Sequence, residues 1–290
     1  MADDQYPEDP IAMMTGVLTL DPTGARTSED IFVGRSHPMP TGRVYGGQVV
    51  AQCVAAALQT IDDQLPHSLH GYFLRPGDFT LPITFGVDRI HDGRSFARRR
   101  VQAYQNGTPI FSGIISFQRE EDGLAHQVAM PDVPGPEELV GLAKRNDLRD
   151  RFRVLRANPI EAITVPPEAL PHYPAQPPGR ATWMRVKKRL PDDPDLHRIT
   201  LAYMSDFTVQ EPSLSANGVS WYDEGVKSAS LDHAIWWHRF ARTDEWLLYV
   251  SESASTQGGR GLNSGRLFTR EGVLVASTAQ EVMLRVPRQG

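Results

Sequence analysis

The 290-residue chain carries a single cysteine, Cys53. That excludes an intramolecular disulfide and any multi-cysteine zinc site, and a reducing cytoplasm is the simplest home for it. No stretch approaches the ~18 consecutive apolar residues of a membrane span, and mean hydropathy is −0.37. The opening MADDQYPEDP is acidic and polar, unlike the basic-then-apolar layout of a secretory leader. Positive charge is not in excess: 30 Lys and Arg stand against 35 Asp and Glu, a net −5. A generally basic nucleic-acid binder is therefore excluded. No histidine or cysteine spacing suggests a metal site, and GGRG at 258–261 lacks the strand–loop–helix frame and lysine of a phosphate loop. No metal and no cofactor are expected.

What is present is an ordinary globular composition, 40% apolar before glycine is counted, at a length that at ~150 residues per domain suggests two domains. Residues 1–25 read as a flexible start and 26–120 as one compact unit. Within it, Gly46 to Ile61 is alanine-rich and uncharged, with Val50, Val54, Ala57, Leu58 and Ile61 at helical steps, which predicts a largely buried helix. Short strands follow over 69–74, 83–90 and 96–104. Asn106-Gly107 is a strong hairpin signal leading into 109–118. From Pro131 to Pro178 lie 10 of the 23 prolines, too many lost donors for a continuous helix or sheet. The segment 121–180 reads as a connection packed on the surface, with a helical piece near 136–149.

The second unit, 181–290, repeats the order of the first. An edge-like strand at 181–190 precedes a helix at 196–209. Strands follow at 231–240, 246–254 and 265–268, then a Glu271-Gly272 turn and a strand at 273–285. HGYFLR at 70–75 echoes HAIWWHR at 233–239 with a one-residue slip, and Gln118 and Gln280 both follow the last apolar run. Such self-similarity argues duplication. Two unrelated α+β domains of similar size are the alternative. A helix followed by an antiparallel meander suggests a sheet wrapped on its own helix, and fusing two copies would cover the open sheet edge.

RVYGGQVVAQ at 43–52, HSLHGYFLRPG at 67–77 and DGRSFARRRV at 92–101 resemble the first half of acyl-CoA thioesterase II. Ser205-Asp206, SLDH at 230–233, EWLLY at 245–249 and GVLVASTAQ at 272–280 resemble its second half. The resemblance runs from about residue 30 to 285 and breaks only over the proline-rich connection. It implies an α+β double hot-dog fold, two long helices each wrapped by a curved antiparallel sheet. It also implies hydrolysis of fatty acyl-CoA to fatty acid and CoA, and a homo-oligomer, dimer or tetramer. The chain does not end in Ser-Lys-Leu, the peroxisomal address of some relatives, which leaves a bacterial-type cytoplasmic enzyme as the expectation.

Thioester hydrolysis needs a positioned water, a group that takes or orients its proton, and donors for the oxyanion. By resemblance Asp206 is the catalytic carboxylate, with Ser230 on the family's threonine and Gln280 on its glutamine, together holding one water. The bland readings are a helix-terminal aspartate satisfying local donors and two strand-surface polar residues. Two departures stand out: Ser230 lacks the threonine methyl, so its χ1 is freer, and Val282 replaces a glycine, which bears on strand curvature. Ser230, Asp232 and His233 lie too close in one strand to form a nucleophile–base chain, and His233 reads as a packing or hydrogen-bonded histidine. Gly47 and Gln48, at the start of the first helix, are candidate oxyanion or substrate-positioning donors, or glycine serves close packing there. Cys53 reads as core.

Acyl-CoA carries phosphates, so an acidic chain needs local basic groups. Arg98, in the run Arg94, Arg98, Arg99 and Arg100, and Arg260, in a glycine-rich loop, are the leading candidates over Lys187-Lys188-Arg189. Solvated strand faces are the competing reading for each. Two other functions stay open from sequence alone: a non-catalytic acyl-CoA binding protein with a relict site, and a hot-dog acyl-CoA hydratase.

Overall fold

The structure, a computed structural model, describes residues 9–26, 29–38, 42–143, 159–166, 169–170, 179–221 and 223–287. Two buried helices organise it. Helix α2 (Gly46–Leu58) has no charged residue, and Gly47 to Ala57 are all buried. Helix α4 (Pro194–Ser205) starts on Asp193, whose side chain accepts from Asp195 N and Leu196 N, with Pro194 in the first turn, where a missing N–H costs nothing. The helices lie side by side with the N-terminus of α2 against the C-terminus of α4, since Gly47 N donates to Asp206.

A single curved antiparallel sheet wraps both. Its first half comprises β1 (Asp21–Arg26), β2 (Asp30–Gly34), β3 (Leu65–Phe73), β4 (Ile83–Asp92), β5 (Phe96–Gln105) and β6 (Thr108–Gln118). Its second comprises β7 (Ile160–Thr164), β8 (Gly179–Val186), β9 (Lys227–Ser230), β10 (Asp232–Trp237), β11 (Leu247–Gln257), β12 (Arg260–Thr269) and β13 (Leu274–Arg285). The strand order is β1-β2-β4-β5-β6-β3-β10-β13-β12-β11-β8-β7, with β9 on β13. Each half thus has the same order about the β3–β10 seam, which buries the edge each would otherwise expose.

The duplication holds at the level of single hydrogen bonds. Leu74 N and Arg75 N both donate to Ile110 O, and His238 N and Arg239 N both donate to Val275 O. Arg75 Nη1 donates to Pro109 O and Arg239 Nη1 to Leu274 O, each at 3.0 Å. The bulge between Asp88 and His91 recurs between Ser253 and Ser255. This register makes Arg239 the counterpart of Arg75, and so Leu69 the counterpart of His233 and Ile115 that of Gln280. The expected match of Gln118 with Gln280 does not hold: Phe96 pairs with Gln118 as Arg260 pairs with Met283.

Three expectations change. Residues 9–26 are not a loose start: α1 (Pro10–Leu18) is capped by Asp9 and buries Ile11, Met14, Val17 and Leu18, and β1 extends the sheet. The proline-rich connection is more than surface packing. Its β7 pairs with β8, which is therefore not the edge. Its helix α3 (Pro136–Ala143) sets Leu139 into a second core cluster with Trp183, Trp246 and Phe268. The expected continuation to 149 lies outside the described residues. The glycine-rich stretch before Arg260 is a tight turn, with Gly258 and Gly259 at φ 61° and 74° joining β11 to β12, a conformation that suits glycine.

Met14 is fully buried. Met14→Ala is expected to cost about 2–5 kcal/mol, as for buried large-to-small changes, read as a lower urea midpoint. A loose N-terminus would give no change.

Candidate active site

Asp206 is the residue after the last turn of α4, with φ −89° and ψ −6°, and it is 6% exposed. Its Oδ2 accepts from Gly47 N at 2.8 Å and its Oδ1 from Gln280 Nε2 at 2.6 Å. The Ser230 hydroxyl stands close enough to act as a third donor that lowers its pKa. Burial dominates these three donors and raises the Asp206 pKa to about 6. Hydrogen bonds to a charged group contribute about 1.5–3 kcal/mol each, while an ion taken out of water costs more. The α2 N-terminus favours the carboxylate; the α4 C-terminus opposes it.

The carbonyls that close α4 find side chains from both copies, as a buried helix end requires. Tyr45 Oη donates to Tyr203 O, and Tyr249 Oη to Ser205 O. Close approach of the two helices depends on glycine. A Cβ on Gly46 would stand 2.8 Å from Asp206 Oδ2, and one on Gly47 2.4 Å from Tyr203 O.

Gln280 lies on the inner face of β13 and is fully buried. Its Nε2 reaches both Asp206 and His233 Nδ1 at 3.1 Å, while its Oε1 is buried without a partner among the described residues. His233, on β10, contacts Ser205 Oγ through Nε2 at 2.8 Å, and burial lowers its pKa to about 4. Ser230, at the end of β9, accepts from Gln210 Nε2 at 2.8 Å, a bond that restrains its χ1. Gln210 precedes α5 (Glu211–Ser215), and its Oε1 is also buried without a partner among the described residues. Sequence reasoning missed Gln210, and its reading of His233 as a packing or hydrogen-bonded histidine named no partner. Val282 is fully buried and pairs with Ser230 on one side and Gly261 on the other.

The structure brings Asp206, Ser230, Gln280 and Gly47 together, and sets the other candidates apart from them. Gly47 N–H serves the carboxylate, not an open oxyanion position. Gln48 N donates to Tyr45 O inside the helix start. The Gln48 side chain holds Arg35 O, Ser36 Oγ and His37 N, so Gln48 pins the chain ahead of the helix. The arginine run is dispersed by strand alternation: Arg99 is 2% exposed and bonds Thr60 and Asp92, and Arg100 pairs with Asp88. Arg98 is exposed on β5, and Arg260 is exposed and pairs with Glu281 at 2.8 Å. Cys53 is buried, which pushes its thiol pKa up and keeps it an unreactive core residue.

Comparison with known proteins identifies the family. A family model described as Acyl-CoA thioesterase matches residues 164–283, and one described as Acyl-CoA thioesterase N-terminal domain matches 35–118. Human Acyl-coenzyme A thioesterase 8 is 36% identical over 96% of this chain and 90% of its own. The chain belongs to the acyl-CoA thioesterase family. Acyl-CoA thioesterase 2 of Haemophilus influenzae is 35% identical over 88% of this chain and 92% of its own. The crystal structure of an Acyl-CoA thioesterase II, TesB2, from Mycobacterium marinum superposes with TM-score 0.80 at 39% identity, covering 96% of this chain and all of that one. The fold is thus the double hot-dog of this family. Its two copies are unequal, because Leu69 and Ile115 stand where the second has His233 and Gln280.

Gly47→Ala keeps the backbone N–H but forces α2 off Tyr203 O, which draws that donor away from Asp206. A lower melting temperature and a loss of turnover are expected together, read by calorimetry and thiol release.

Proposed function

We propose that the protein hydrolyses fatty acyl-CoA to a free fatty acid and CoA, with Asp206, Ser230 and Gln280 holding the attacking water. The observation that carries this is a buried carboxylate with the unpartnered Gln280 Oε1 beside it in the same network. Water can give one proton to Asp206 and the other to Gln280 Oε1, which directs its lone pair at the thioester carbon. As the O–C bond forms, Asp206 takes the water proton. The tetrahedral intermediate then expels the CoA thiolate, a leaving group with a pKa near ~8.5 that needs little acid help, and the proton passes from Asp206 to the thiolate. Ser230 donates to Asp206 and is held by Gln210. Arg260 would meet a CoA phosphate only by releasing Glu281, and Arg98 lies on the first copy. Both remain candidates for that contact.

We also read the chain as a cytoplasmic enzyme that self-associates. The exposed apolar side chains Tyr72, Leu74 and Ile114 on the outer side of β3 and β6 support association, and the single buried cysteine fits a reducing compartment. Among the described residues no helix is long and apolar enough to cross a membrane.

Asp206→Asn should lower kcat by roughly 10²–10⁴, measured as thiol release across a panel of acyl-CoA chain lengths. Wild-type turnover would remove Asp206 from the mechanism. Only the ionised carboxylate accepts a proton, and its pKa is about 6. Wild-type kcat/KM should therefore fall as pH drops through about 6, with no such limb in Asp206→Asn.

A further inference from the structure

An amide that holds Asp206 by its nitrogen is useful only if it cannot turn over, and the group that prevents this stands behind it. We propose that His233, backed by Ser205, is a positioning residue that fixes the Gln280 amide with its nitrogen on Asp206 and its oxygen left for the attacking water. The proposal rests on the water-holding reading of Asp206 and Gln280.

Counting protons gives the direction of each bond. Ser205 Oγ donates its only proton to Ala202 O at 2.8 Å. Its 2.8 Å contact with His233 Nε2 therefore runs from N–H to oxygen. With the proton on Nε2, Nδ1 is a lone-pair acceptor. It faces Gln280 Nε2 at 3.1 Å, and the other N–H of that amide is on Asp206 Oδ1 at 2.6 Å. Both N–H groups are spent, and Oε1 is the one atom of the amide without a partner. Turning the amide over would put Oε1 against a carboxylate oxygen and an imidazole lone pair, two repulsions in place of two hydrogen bonds. Burial keeps the imidazole neutral. A protonated ring would present N–H at this place and reverse the amide.

The first copy supplies an internal comparison. Leu69 and Ile115 fill the positions of His233 and Gln280, both fully buried. Histidine at this place is thus not a requirement of the fold, and it accompanies the glutamine.

Thiol release at saturating acyl-CoA separates positioning from packing. His233→Leu inserts the residue that the first copy carries. Its kcat is expected to fall roughly ten- to a hundredfold, the scale of a misplaced reacting group, with KM little changed. His233→Asn restores an acceptor oxygen near Nδ1 and should regain most of the loss. In His233→Leu the freed amide gives Asp206 one donor less on average, so the acid limb of kcat/KM moves to higher pH. Wild-type kcat in folded His233→Leu overturns the proposal. So does an Asn variant no better than Leu, or an unmoved acid limb. Should the Leu variant fail to fold, Ser205→Ala takes its place, because it releases the imidazole to its other tautomer, and undiminished kcat in it overturns the proposal equally. Asp206→Asn run alongside tests the underlying reading. If it keeps turnover, the water-holding site is wrong. If it is inactive while His233→Leu is not, only the role of His233 falls.

Discussion

A carboxylate shut away from water between the ends of two helices sets the terms for the rest of this molecule. Asp206 needs donors, and those it has come from widely separated places: a backbone N–H at the start of α2, an amide on β13 and a hydroxyl on β9. None is near it in sequence, Gly47 being 159 positions away. The sheet must therefore close around both helices before the carboxylate is partnered, and each half supplies something the other lacks. Fusion of the copies is thus more than a cover for sheet edges, because the site straddles the contact between α2 and α4.

The balance at Asp206 also accounts for its surroundings. These three donors do not offset the loss of water, and the pKa settles at about 6, near neutral pH where a proton acceptor works best. Adding a strong cation would hold the carboxylate ionised and weaken it as a base. The neutral groups found there, two amides, a hydroxyl and a deprotonated imidazole, hold and orient without doing so. The tyrosines Tyr45 and Tyr249 satisfy α4 carbonyls by hydroxyls that burial keeps protonated.

The copies have diverged in chemistry while keeping their backbone. Main-chain bonds at Leu74, Arg75, His238 and Arg239 match one for one. On the inner face, though, the first copy has leucine and isoleucine where the second has histidine and glutamine. Arg99 stands across from this on β5, buried and bonded to Thr60 and Asp92. At the Leu69 and Ile115 positions of the first copy packing is the constraint, and at the His233 and Gln280 positions of the second it is hydrogen-bond partners.

Much of this was legible in the chain. The uncharged run that makes α2, the Asn106-Gly107 turn and the alternation of β5 and β6 are local patterns, and local patterns are what sequence reports well. The second helix ends at Ser205 rather than at the expected residue 209, with the Asp206 side chain turned to Gly47 and Gln280. The strand β7 and helix α1 were hidden by prolines and polar residues around a few buried side chains. Asp206, Ser230 and Gln280 could be named by resemblance. Their geometry could not, nor could the engagement of Gly47 N–H and Gln48, the restraint from Gln210, or the role open to His233. Composition and periodicity determined most of the elements and the order that the two halves share. Tertiary structure alone decided which groups share a buried volume, because a hydrogen bond in low dielectric depends on positions that the chain brings together only when the sheet has closed.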